Sequence, residues 1–249
     1  MSPERITSKT NPYIRHVKKL LASRSYRYAQ RQYVADGLKL LQEAVKWQAP
    51  IRAVLVQDGV DCPLPEDCMV VRVPESLMRD VSRMEAPQGV LTVCDMPDAG
   101  LEQIAPGCLI LDGIQDPGNL GTMLRTADAL GVQVVLSDGC ADPYNEKTVR
   151  AAMGATFRMT VRQADRQTIL AACEKNSVPL CVTALSQQAK DIRSLDLKRY
   201  ATVIGSEGHG VCPQFLQAAQ AEAIIPMSLH CESLNAAVAA AIVMWQMTR

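Results

Sequence analysis

Aromatic rings are scarce in this chain of 249 residues, which holds two Phe and two Trp. Apolar residues still make up 48% of it, so a core is available and must be largely aliphatic. Net charge is absent too: 26 basic side chains balance 26 acidic ones, which excludes a general attraction to polyanions and requires any nucleic-acid footprint to be local. None of the nine cysteines forms a CxxC pair, and the nearest two, Cys62 and Cys68, have neither a zinc spacing nor a place in a convincing disulfide framework. Their odd number, with no signal-peptide pattern at the start, points to a reducing cytoplasm and to no structural metal. No apolar run is long enough to cross a bilayer, so no membrane partner is expected. The phosphate-binding patterns GxGxxG and GxxxxGK(S/T) are missing as well, which excludes a standard dinucleotide loop and a P-loop.

Against this even background, residues 1–31 stand out, with eight Lys or Arg facing one acid, Glu4. Four of the six tyrosines follow closely, at Tyr13, Tyr26, Tyr28 and Tyr33. Basic side chains interleaved with stacking-capable rings suit looped or single-stranded RNA. The same pattern also describes a solvated helix face whose tyrosines pack inward. Arg15, Lys18, Lys19, Tyr13 and Tyr26 are the candidate substrate-binding residues.

The rest of residues 1–98 reads as a small α/β domain. Strands are expected at 32–35, 51–56, 69–73 and 89–94, with a helix over 37–47 that places Leu38, Leu41, Ala44 and Val45 on one face. Residues 95–100, DMPDAG, read as a linker, and the second domain is assigned to 99–249. There, strands at 108–111, 132–136, 180–183, 201–204 and 223–225 alternate with helices at 120–130, 146–153, 166–175 and 213–219. Such alternation implies a parallel sheet covered on both faces, with ligands bound beyond the carboxyl ends of its strands.

Three polar loops fall at those ends. The first, residues 112–121, leads into a helix carrying Arg125, which follows Gly121 by four residues on one face; Gly121 would let a ligand approach there. The second, residues 205–210 (GSEGHG), sets three glycines around Glu207. The third follows Ile225-Pro226 and crowds Glu232, Ser233 and Asn235 where an apolar helix begins. Helix capping accounts for one of these side chains and leaves the others unexplained.

These loops carry a family resemblance. Residues 119–127 (NLGTMLRTA) resemble the first motif of the SpoU (TrmH-type) RNA ribose 2′-O-methyltransferases, of the SPOUT superfamily. Residues 205–210 are similar to their second motif, and 225–227 with 232–235 to their third, in the same order and spacing. Residues 6–12 and 34–37 resemble the substrate-binding domain that often precedes the catalytic one, so the likeness spans nearly the whole chain. Two departures are Ser228-Leu229-His230-Cys231, where the family has a glycine or proline, and Ala151-Ala152, where it often has serine.

The resemblance implies a C-terminal trefoil knot, although knots are rare in proteins at large. It implies S-adenosylmethionine held largely by backbone around Gly205, Ile225, Met227 and Leu234, and a homodimer that completes the site across its interface. It implies Arg125, Asn119, Glu207, Ser233 and Asn235 as catalytic residues. Arginine stays protonated, so Arg125 suits a phosphate clamp and an alkoxide stabiliser better than a base. Glu207 is then the carboxylate to fix Arg125 or accept the proton. The expected activity is methyl transfer to a ribose 2′-hydroxyl, with ribosomal RNA as substrate; transfer RNA, or RNA binding without catalysis, are the alternatives.

Overall fold

The computed structural model describes residues 4–206, 208–228, 230 and 233–249. In chain order its strands and helices are β1 (Glu4–Arg5), α1 (Pro12–Ala22), α2 (Arg24–Gln30), β2 (Gln32–Asp36), α3 (Leu38–Lys46), β3 (Ile51–Gln57), β4 (Met69–Val73), α4 (Glu75–Val81) and β5 (Val90–Asp95). There follow β6 (Leu109–Asp112), α5 (Pro117–Leu130), β7 (Val134–Leu136), α6 (Glu146–Ala152), α7 (Ala155–Arg158), β8 (Arg162–Gln163) and α8 (Arg166–Lys175). The last are β9 (Leu180–Thr183), β10 (Lys190–Asp191), β11 (Ala201–Gly205), α9 (Pro213–Ala218), β12 (Ala221–Ile224) and α10 (Ala236–Met247). They form two compact units, Met1–Pro97 with Tyr144–Arg158, and Asp98–Pro143 with Met159–Arg249.

The first unit is a mixed sheet in the order β1-β4-β3-β5-β2, parallel from β1 to β3 and antiparallel across β5. Helix α1 starts because Asn11 accepts the Tyr13 N–H and Pro12 occupies a first-turn position. Its buried face, Ile14, Val17, Leu20 and Leu21, seats it on the sheet. Arg27, only 3% exposed, donates Nη1 to the Leu20 carbonyl at 2.6 Å and so satisfies an orphan acceptor at the α1 terminus.

Tyr144–Arg158, read from the sequence as part of the C-terminal layer, belongs to this first unit. Tyr144 and Val149 join Tyr33, Ala35 and Leu40 in one cluster, with Phe157 packed against it. The Tyr33 and Tyr144 rings lie 4.9 Å apart. The same neighbourhood buries Asp36 and Glu146 and leaves one oxygen of each, Oδ1 and Oε2, without a partner. Burial above all pushes the Asp36 carboxyl above the ordinary carboxylate range; the Ser82 hydroxyl, donated at 2.6 Å, opposes this, and the nearby Glu146 charge reinforces it.

The second unit is a fully parallel sheet in the order β10-β12-β9-β11-β6-β7-β8. It contains the five strands expected there, plus the two-residue edges β8 and β10. The late strand β11 inserts between β9 and β6, which places the loop beyond Gly205 at the middle of the sheet's carboxyl edge. Helix α5 begins three residues earlier than expected, because Asp116 accepts the Asn119 N–H at 2.7 Å and Pro117 pre-sets the first turn. Asn119 and Gly121 are therefore helical, and Gly121 is buried by the protein itself rather than left bare for a ligand.

Candidate cofactor pocket and substrate face

The carboxyl edge of the second unit holds a cavity of about 370 Å³. The ends of β9, β11 and β12 supply Thr183, Ile204 and Ile224, and the loops beyond them supply Ala184, Leu185, Ser206, His209, Gly210 and Val211. Gly205, Ile225, Met227 and Leu234, the four residues assigned to the cofactor, all line it, and so does Ser233. Glycine is required at 205: a Cβ there would stand 2.0 Å from the Gly210 carbonyl carbon and 2.2 Å from the Val211 nitrogen. Ser206 and Gly210 bridge, with the Gly210 N–H donated to the Ser206 carbonyl at 2.9 Å, so the main chain folds flat over the strand end. Ser206 and His209 belong to the second motif loop but had been given no role of their own, and Thr183 and Leu185 were not singled out in the sequence, where only their position after an apolar strand could have marked them.

Asn235 caps α10, its Oδ1 accepting from Ala237 and Val238, while its Nδ2 donates to Asn119 Oδ1 at 3.1 Å. Two of the proposed catalytic side chains are thus in direct contact although 116 residues separate them. Both also line an apolar groove between α5 and α10, with Thr122, Thr126, Val238, Ile242 and Trp245. Arg125 is exposed on α5, with no ion pair to a described residue. Glu207, like Glu232, lies outside the described residues.

On the first unit, Arg15 and Lys19 are exposed along α1. Lys18 is engaged with Asp80 at 2.5 Å, and Lys9 meets the same carboxylate at 3.4 Å. The Lys18 hydrogen bond is the main reason the Asp80 carboxyl is held below its usual range. Tyr13 and Tyr26 pack partly buried against the core, and burial pushes the Tyr13 hydroxyl well up. The Tyr26 hydroxyl meets His16 Nδ1 at 2.9 Å, His16 Nε2 meets Gln32 Oε1 at 2.9 Å, and Lys19 Nζ stands 5.5 Å from the Tyr26 ring centre. His16 and Gln32 were not foreseen.

A parallel sheet with a late central strand, and a pocket built from three strand-end loops, define the class: residues 106–245 match the SpoU rRNA Methylase family, and the chain belongs to it. Residues 11–92 match the MRM3-like substrate binding domain. Over 98% of its length the chain is 34% identical to 99% of the 23S rRNA (guanosine(2553)-2′-O)-methyltransferase RlmP of Bacillus subtilis (strain 168). It is also similar to the AdoMet-bound rRNA methyltransferase from Sinorhizobium meliloti, at 29% identity and a TM-score of 0.86 over 98% of this chain and 97% of that one. A solved RNA 2′-O ribose methyltransferase matches with a TM-score of 0.79 and 29% identity, over 98% of this chain and 97% of that one.

Proposed function

We propose that this chain is an S-adenosylmethionine-dependent enzyme that methylates a ribose 2′-hydroxyl in ribosomal RNA. The observation that carries the reading is the pocket, in which residues of the second and third motif loops line one cavity while the first motif is joined to the third through Asn119 and Asn235. The lining fits the cofactor: about 370 Å³ lies within the range of small-molecule sites, with apolar walls for a flat base and backbone plus Ser206 and Ser233 for a polar tail. When bound, S-adenosylmethionine supplies a methyl group already activated on a sulfonium.

What remains for the protein is alignment and the loss of one proton. Asn119 and Asn235 hold each other's amides and orient the ribose, together with Ser233. Arg125, exposed and permanently charged, grips the adjacent phosphate and stabilises the developing alkoxide. Glu207 accepts the proton or fixes Arg125. Arg15, Lys19 and Tyr26 of the first unit contribute to holding the RNA, and Lys18 and Tyr13 act from more engaged positions. The ribosomal substrate is supported by the similarity to RlmP across both chains, and a cytoplasmic setting accords with that substrate.

The trefoil knot implied by the resemblance is supported by the insertion of β11 between β6 and β9. A homodimer is supported by α10, which exposes Val238, Ile242 and Trp245 beside the apolar groove. Mapping 2′-O-methyl sites in ribosomal and transfer RNA, with and without the protein, tests the reading. A new site in ribosomal RNA is the expected result, a site in transfer RNA alone would transfer the assignment there, and no new site in either would overturn the enzymatic reading.

A further inference from the structure

Beneath the pocket lies a buried carboxylate that the chemistry above does not use. Asp112 is 2% exposed and ends β6 directly opposite Gly205, the last residue of β11, in the parallel ladder. Its Oδ1 accepts the Ser137 hydroxyl at 2.5 Å and Arg166 Nε at 2.8 Å. Its Oδ2 accepts the backbone N–H of Cys212 at 2.9 Å. Arg166 is itself held in place, its backbone N–H donated to Asp138 Oδ2 at 3.1 Å and its Nη2 to the Asp138 carbonyl at 3.2 Å. A buried carboxylate with a cation, a hydroxyl and an N–H as partners is fully satisfied and hence rigid.

The geometry concerns one loop. Cys212 directly follows Val211, which lines the pocket. The chain that leaves β11 beside Asp112 therefore comes back to the carboxylate of the same residue. A wall fastened at both ends is ordered before its ligand arrives, which removes part of the entropy cost of binding.

We propose that Asp112 is a positioning residue for the cofactor: through Cys212 it fixes the pocket wall that Gly205, Ser206, Gly210 and Val211 form. This rests on reading the cavity as the S-adenosylmethionine site. Cys212→Pro in the full chain breaks this tether, since it removes the donated N–H and sets the ring Cδ in its place, while the backbone keeps its shape because Cys212 already has φ −66° and ψ 154°, which proline adopts. Asp112 keeps Ser137 and Arg166 in that variant. Calorimetry should show S-adenosylmethionine affinity weakened roughly tenfold, the scale of one charge-assisted hydrogen bond. The KM for the cofactor should rise while the KM for RNA and the melting temperature stay near wild type, a split that a purely structural role would not produce.

Leu234→Trp, which fills the cavity, separates the two ideas. If it leaves cofactor binding intact, the pocket reading falls and takes this proposal with it. If it abolishes binding while folded Cys212→Pro binds as wild type does, the role of Asp112 alone is overturned. Should Cys212→Pro fail to fold, Asp112→Asn takes its place: a weakened cofactor affinity in the folded variant supports the proposal, and an unchanged one overturns it. Failure of both variants to fold also overturns it, since the carboxylate would then support the sheet and not the loop.

Discussion

Asn235 serves two neighbours with one amide: its oxygen caps α10 and its nitrogen reaches Asn119. Asn235→Asp keeps an acceptor at a helix N-terminus, where negative charge is favourable, and loses the donor to Asn119. Stability should change by less than about 1 kcal/mol, whereas methylation should fall on the order of 100-fold if the pair orients the ribose. Urea melts beside single-turnover rates read both, and unchanged turnover would leave Asn235 a cap and nothing more. Asp36 makes a separate prediction. Its folded pKa is raised, so its stabilising contribution is complete below the unfolded carboxylate range, about pH 4, and is lost as pH rises through the folded value. Thermal melts of Asp36→Asn should therefore match wild type near pH 4 and lie above it at pH 8, and an equal difference at both values would show that Asp36 does not titrate with folding. The glycine loop at 205–210 and the polar cluster around Ser233 and Asn235 were legible as loops after apolar strands, whereas Gly205 and Leu234 were named for the cofactor through the family resemblance alone. Asp112 was not legible: an acid ending an apolar run carries no mark of burial, and its partners lie 25, 54 and 100 residues further along.

At the level of elements, periodicity found every central strand and the long helices of the second unit, because their apolar faces must recur at fixed spacing, but no helix was assigned over Pro12–Ala22, where the basic residues held the attention. It missed β1, β8 and β10, since two residues show no period. It started α5 late because glycines at 118 and 121 outweighed the capping pair Asp116-Pro117. The basic reading of α1 also changes in detail. Lys18 is already neutralised by Asp80, which leaves Arg15 and Lys19 as its open cations. Replacing both with Ala should flatten the salt dependence of RNA binding by about 1.4 log units per log unit, at about 0.7 per phosphate contact on single strands. Lys18→Ala should barely alter it. Filter binding across a salt series decides; equal slopes for wild type and the double variant would mean that RNA is held elsewhere. Tyr26→Ala should weaken binding by roughly 1–3 kcal/mol if its ring stacks on a base. Because Tyr26 also packs on the core, a melting curve must accompany that measurement.

For the whole molecule, oligomeric state is the property most open to measurement. Trp245 is 56% exposed on α10, so Trp245→Glu should leave the fold intact while halving the mass seen by light scattering. A wild type that already runs as a monomer would remove the dimer from the reading. Division of the chain was only partly legible: the linker before residue 100 was plain from its composition, but the return of Tyr144–Arg158 to the first unit depends on contacts more than a hundred residues apart. That return sets an order on synthesis. While the first hundred residues are emerging from the ribosome, the face of Tyr33 and Leu40 has no cover, because Tyr144, Val149 and Phe157 are not yet made. The amino-terminal unit can gather the cluster around Ile14, Leu55 and Leu91 as it emerges, but it cannot cover this second face in the usual vectorial way, and a ribosome stalled between the two segments would present that apolar face to chaperones.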